Sequence, residues 1–170
     1  MSLNILTSGD FSISTQLENK LNIVFSLICE EEKLSNCSVN LKILNNNEIQ
    51  ELNNKYRKKN SPTNVLSFTN EDISKSITGD LGDIAISYQY LEEESRQQNK
   101  KFDDHLIHML IHGVYHILGF DHEKNEMAAQ MENKEIKLLK KINIDNPYYC
   151  LLYTSPSPRD TVTSRMPSSA

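Results

Sequence analysis

The segment His112–His122, HGVYHILGFDH, decides how this chain is read. Its histidines fall at i, i+4 and i+10, and Gly119 lies three residues after the second and three before the third. Four residues is just over one helical turn, so His112 and His116 project from one face of a helix. Gly119 can adopt a left-handed conformation, end the helix and turn the chain back. His122 then approaches the other two from the side. Three neutral imidazoles converging in this way suit one Zn²⁺ or a similar divalent ion, with the fourth position left to water, as in catalytic rather than structural sites.

The spacing matches the extended zinc-protease motif H-E-x-x-H-x-x-G-x-x-H with one exception. Gly113 stands where those proteases carry their glutamate general base. A peptide bond is a hard target without that base. The site is therefore expected to belong to a metal-dependent hydrolase other than a peptidase. Asp121, beside His122, has three possible roles: orienting a ligand imidazole, accepting a proton, or capping the following turn. His105 and His108 lie on the same side of the helix as His112. His108 is either a fourth ligand or, being a turn further from Gly119, a support facing a neighbouring helix. His105 is expected near the exposed start of the helix.

Outward from this segment, Phe102–Leu118 reads as a central helix. Leu106, Met109, Leu110, Ile111, Val114 and Ile117 surround it almost completely, which predicts burial. Upstream, Leu3–Leu6 is a candidate strand, and 14–32 an amphipathic helix with Leu17, Leu21, Val24, Phe25, Leu27 and Ile28. Ser38–Leu44 alternates as a strand. Asn45-Asn46-Asn47 is a turn able to cap a helix over Asn46–Tyr56. Thr63–Phe68 and Asp80–Ser87 follow as strands, with a polar loop over 70–79. Helices are expected over Tyr88–Gln98 and Asn125–Ile142, the latter with Met127, Met131, Ile136, Leu138 and Leu139. Strands and helices mix without strict alternation. This predicts an α+β fold, a small mixed sheet packed with about five helices around the histidine-bearing helix.

The chain has 170 residues and a formal net charge of −5. Residues 150–170, CLLYTSPSPRDTVTSRMPSSA, are rich in Ser, Pro and Thr and have no amphipathic period. They resemble the conceptual translation of a sequencing-library adapter, and are expected to be a non-native, disordered tail on a single domain spanning 1–149. Setting aside the tail's Arg159, Arg165 and Asp160 leaves 16 basic and 22 acidic residues, a formal net charge of −6. Whole-chain charge therefore does not steer the protein toward phosphates, and nucleic-acid binding would rest on a local patch and a metal. Lys55-Tyr56-Arg57-Lys58-Lys59 is such a patch: basic residues with one aromatic suit a single-stranded backbone and one stacked base. A charge run on a loop is more often simply solvated. Cys29 and Cys37 form no C-x-x-C pair and are expected in or beside the core. No secretory signal or bilayer-length apolar run is evident. A reducing, cytoplasmic setting is expected, without membrane partners.

Three segments, LNNKYRKKNSPTNVLSF (52–68), LGDIAIS (81–87) and HGVYHILGFDH (112–122), in this order and distance, resemble the YbeY family of metal-dependent endoribonucleases. The resemblance spans nearly all of 1–149. It implies a zinc-binding α+β fold, cutting of single-stranded RNA, maturation of the 3′ end of small-subunit ribosomal RNA, and a part in ribosome quality control. The implied partners are RNA and the ribosome, with no DNA. His112, His116 and His122 match the family's metal ligands. Arg57 matches an arginine of the family placed near the site, where its planar fork would meet phosphate oxygens. Either metal-activated water or the RNA 2′-hydroxyl would attack the phosphodiester. Asn64 and Thr69 depart from the family's frequent aspartate and proline. A peptidase with an unusual base, and a ribosome-associated binding protein with a structural metal, are the competing expectations.

Overall fold

The protein is described from a computed structural model covering residues 2–9, 11–69, 79–120, 125–144 and 147. In chain order the elements are β1 (Ser2–Thr7), α1 (Thr15–Glu31), β2 (Ser38–Leu44), α2 (Asn46–Arg57), β3 (Val65–Thr69) and β4 (Asp80–Ser87). Then come α3 (Tyr88–Gln97), α4 (Phe102–Ile117) and α5 (Asn125–Lys141). The strands form one mixed sheet in the order β1-β2-β4-β3, with β1, β2 and β4 parallel and β3 antiparallel to β4. The expected α+β class, mixed sheet and five helices are all present among the described residues. The predicted loop over 70–79 lies outside them, apart from Gly79.

Local chemistry sets the helix starts. Ser14 accepts from Leu17 N at 3.1 Å to open α1. Asn45 and Glu48 form a reciprocal capping box at α2, as the asparagine turn suggested. Ser87 ends β4 and caps α3 through Tyr90 N at 3.2 Å. Strand β2 buries Val39, Leu41 and Ile43 and leaves the alternate residues partly exposed, the period of two that places one face on the core.

That face meets α1 and α4. Leu21, Val24, Phe25 and Ile28 of α1 join Ile84 and Ile86 of β4 and Leu106, Leu110, Ile111 and Val114 of α4 in one core. On the opposite face α2 lays Ile49 over Leu66 and Ala85. Helix α4 is buried along nearly its whole length, as its all-round apolar flanks imply. One expectation fails here. His105 is 3% exposed rather than at an open helix start. Helix α3 contacts the first turns of α4, and Glu94 accepts from His105 Nε2 at 3.0 Å, so the ring is covered from the side.

Candidate metal centre

Two features of α4 set up the site. Its register places His112 and His116 one turn apart, with their Nε2 atoms 3.0 Å from each other and the rings nearly perpendicular. Its end is made by Gly119, whose φ of +106 is the left-handed turn anticipated from the sequence. Gly119 N and Phe120 N bond back to His116 O and Tyr115 O and close the last turn. Nothing lies within 4 Å of a Cβ built on Gly119, so backbone conformation, not crowding, calls for glycine there. Asp121 and His122 lie outside the described residues.

Gly113 has a different reason. A Cβ at this position would stand 3.0 Å from Ile84 Cγ2 and 3.1 Å from Ile84 Cδ1. The helix backbone is pressed onto β4, and position 113 faces the sheet. A side chain there would press on Ile84, so the close approach of helix and strand favours glycine where the protease motif carries its base.

Behind the histidines stands Glu135 of α5, which the sequence reading passed over. It is fully buried, with Oε1 2.6 Å from His108 Nε2 and Oε2 3.5 Å from His112 Nδ1. Burial by itself would push the Glu135 carboxyl up. The neighbouring His112 and the hydrogen bonds from His108 and His112 outweigh it and hold the carboxyl well below the usual range. An ionised carboxylate only accepts, so it places the proton of His112 on Nδ1 and leaves the Nε2 lone pair facing His116. Burial holds His108 below the ordinary imidazole value, against the pull of Glu135. His108 is thus tied to α5. A signal for Glu135 did exist. It falls four residues after Met131 and three before Leu138, inside the buried stripe of α5, whereas Ile136 is only partly buried.

These residues suit a divalent ion. Two imidazole nitrogens on one tetrahedral Zn²⁺ lie about 3.3 Å apart, close to the observed separation of the His112 and His116 Nε2 atoms. The carboxylate behind His112 is the partner that ligating imidazoles ordinarily have. Among the described residues no cluster of three or more His, Cys, Asp or Glu forms a metal site, the third expected ligand being His122.

Arg57 ends α2, where Lys58 turns the chain with φ +58. Its Nη2 donates to Ser67 O at 2.8 Å, and its guanidinium lies 5.4 Å from the Phe68 ring centre. Ser67 Oγ in turn donates to Gly113 O at 3.2 Å. Arg57 is therefore fastened to the strand that is itself bonded to α4 beside His112. Asn64, at the start of β3, is buried. Its Oδ1 accepts from Val65 N at 2.7 Å and its Nδ2 donates to Glu94 at 3.4 Å, a donation that an ionised aspartate would not make.

A mixed sheet backed by a buried histidine helix, with an ionised carboxylate behind its imidazoles, defines a small α+β protein with a histidine-centred site. The chain belongs to the YbeY family: the family model described as Endoribonuclease YbeY matches residues 5–143. It is 39% identical over 152 residues to the Endoribonuclease YbeY of Francisella tularensis subsp. novicida, an alignment covering 87% of this chain and 93% of that protein. It is 38% identical to the Endoribonuclease YbeY of Francisella philomiragia subsp. philomiragia, covering 87% and 95%. The solution structure of TM1509 from Thermotoga maritima superposes with a TM-score of 0.57 at 27% identity, covering 82% of this chain and 91% of that one.

Proposed function

We propose that this protein is a metal-dependent endoribonuclease that cuts single-stranded RNA and acts in ribosomal RNA processing at the 3′ end of the small-subunit RNA, in contact with the ribosome and in the cytoplasm. The observation that carries the reading is the His112–His116 pair backed by Glu135, in a chain whose relatives are endoribonucleases. His112, His116 and, by its spacing, His122 would hold one ion, zinc being the choice their imidazoles favour. When bound, such an ion supplies Lewis acidity toward a phosphoryl oxygen and acidifies water.

The chain's own residues do the rest. Glu135 fixes the His112 tautomer and ring angle. Arg57, with one edge spent on Ser67 O and its face against Phe68, can turn its remaining N–H groups to the phosphate as negative charge builds on it. Tyr56, exposed beside Arg57 and edge-on to Phe68, offers a flat surface to a base. Asp121, adjacent to His122, would support that ligand or take a proton. Gly113 speaks against a peptidase, because it supplies no carboxylate where the zinc proteases carry their general base.

The test uses a structured RNA with single-stranded tails, with and without chelator. Cleavage that needs a divalent ion, is confined to the tails and is lost in His116→Ala with the fold retained supports the proposal. Binding of the RNA without cleavage would favour an RNA-binding protein with a structural ion instead.

A further inference from the structure

Helix α5 sends two neighbouring charged side chains to different places. Glu135 turns inward to His108 and His112. Lys134 turns to the close of α4. Its Nζ donates to Glu32 Oε2 at 2.8 Å, and it lies 5.9 Å from the Tyr115 ring centre and 5.6 Å from that of Phe120. Both rings are within cation–π reach.

These residues form one cluster drawn from three helices. Glu32 is the C-cap of α1, where the negative end of the helix dipole disfavours a carboxylate that has no cation beside it. Lys134 supplies the cation. The Tyr115 hydroxyl donates to the same Glu32 oxygen at 3.3 Å. Phe120 meets Tyr115 edge-on, with ring centres 5.5 Å apart, and its N–H donates to Tyr115 O at 3.1 Å. The Lys134 side chain keeps 32% of its exposure and that of Glu32 17%, and an ion pair so placed adds little to global stability. What the cluster does is local: it holds Phe120 from α1, α4 and α5 together. His122 follows Phe120 by two residues. Two residues of chain span at most about 7 Å, so the place where Phe120 is held limits where that imidazole can be presented.

We propose that Lys134 is a positioning residue for the metal site: by holding Phe120 against Tyr115 it fixes the turn from which His122, the expected third ligand, is presented. Helix α5 thereby serves both parts of the ligand set, with Glu135 behind His112 and Lys134 behind the turn. The inference rests on the proposed metal site and is independent of RNA as the substrate.

The experiment measures zinc affinity of the full chain by competition with a chromogenic chelator, with no RNA present. Lys134→Met keeps an unbranched side chain and removes the charge. It is expected to weaken zinc binding about tenfold, the lower end of the cost of losing a partner behind a ligand. Lys134→Arg restores a cation over the rings and should restore the affinity. Glu32→Gln leaves Lys134 in place without its anchor and should weaken zinc binding in the same direction; it decides the matter by the same criteria if Lys134→Met does not fold. The loss from Lys134→Met should vanish in a His122→Ala background and persist in a His116→Ala background, because it acts through His122. Urea denaturation of the zinc-free proteins should place Lys134→Met beside the parent. Parent-like zinc affinity in Lys134→Met, a loss that persists with His122→Ala, or a matching fall in zinc-free stability overturns the proposal. A protein that binds zinc as expected but cuts no RNA fails as a ribonuclease and leaves the role of Lys134 standing.

Discussion

Gly113 lies against Ile84 so closely that a Cβ on the glycine would stand 3.0 Å from Ile84 Cγ2. This contact sets the depth at which α4 sits on the sheet, and with it the height of the histidines above β4. Two effects compete in Gly113→Ala. The helix gains about 1 kcal/mol of propensity, while overpacking a tight core costs about 1–3 kcal/mol. Ile84 is fully buried and has little room to yield, so a net loss near 1 kcal/mol is expected in urea denaturation. The same change in an Ile84→Ala background should stabilise. Equal effects in both backgrounds would show that the two residues do not touch.

Glu135 has no exposed atoms to lose, so its role should be visible at the ion. Glu135→Gln keeps the shape and removes the charge behind His112. Zinc affinity, measured by competition with a chromogenic chelator, is expected to fall by about 10–100-fold. An unchanged affinity would mean that the carboxylate only packs.

Arg57→Ala should lower the rate of RNA cleavage by about 10²-fold, the typical cost of removing one donor aimed at developing charge. Arg57→Lys should recover little, since an ammonium cannot hold Ser67 O and a phosphate with one planar group. Full activity in either variant would return Arg57 to the status of a solvated basic residue.

Cys29 and Cys37 are both buried, with sulfurs 3.0 Å apart. Burial first, then the hydrogen bond and charge of Cys37, push the Cys29 thiol up to about 12. Little of it is therefore thiolate at pH 8, and the thiolate is the reactive form. Cys29 should resist alkylation in the native protein and react promptly in denaturant. Rapid native labelling at Cys29 would contradict this packing.

Lys137 Nζ donates to Glu31 Oε1 at 2.7 Å, joining α5 to α1. That hydrogen bond, then the charge of Lys137, hold the Glu31 carboxyl below its usual value of 4.5. A depressed carboxyl contributes stability that is present above the unfolded value and disappears as pH falls through the folded one. The pair is exposed, so its share is small. Lys137→Ala is expected to raise the Glu31 titration midpoint, followed by carboxyl ¹³C shift, toward the ordinary value, with Lys141 Nζ still 3.6 Å from Glu31 Oε2. No change would show that the bridge does not form in solution.

Much of the architecture was legible from neighbouring residues. The strand alternation of Ser38–Leu44, the asparagine cap before α2, the all-round apolar flanks of α4 and the turn at Gly119 are each written within a few positions, and each holds in the structure. The one misplaced histidine, His105, failed because position near a helix start says nothing about α3, whose Glu94 lies eleven residues earlier and covers the ring. Ile136 is apolar yet only partly buried. The stripe of α5 in fact turns Glu135 to the core, where its charge is matched by histidines.

By itself the sequence determined the spacing of His112, His116 and His122, the glycine that ends the helix, and the family, because backbone periodicity and turn conformation depend on adjacent residues. Tertiary structure alone decided that Glu135 stands behind His112 from 23 positions away, that Gly113 is pressed against Ile84, and that Arg57 is pinned to Ser67. These contacts depend on how whole elements pack against one another. Such packing brings distant side chains within bonding reach without leaving a mark on the local pattern of either.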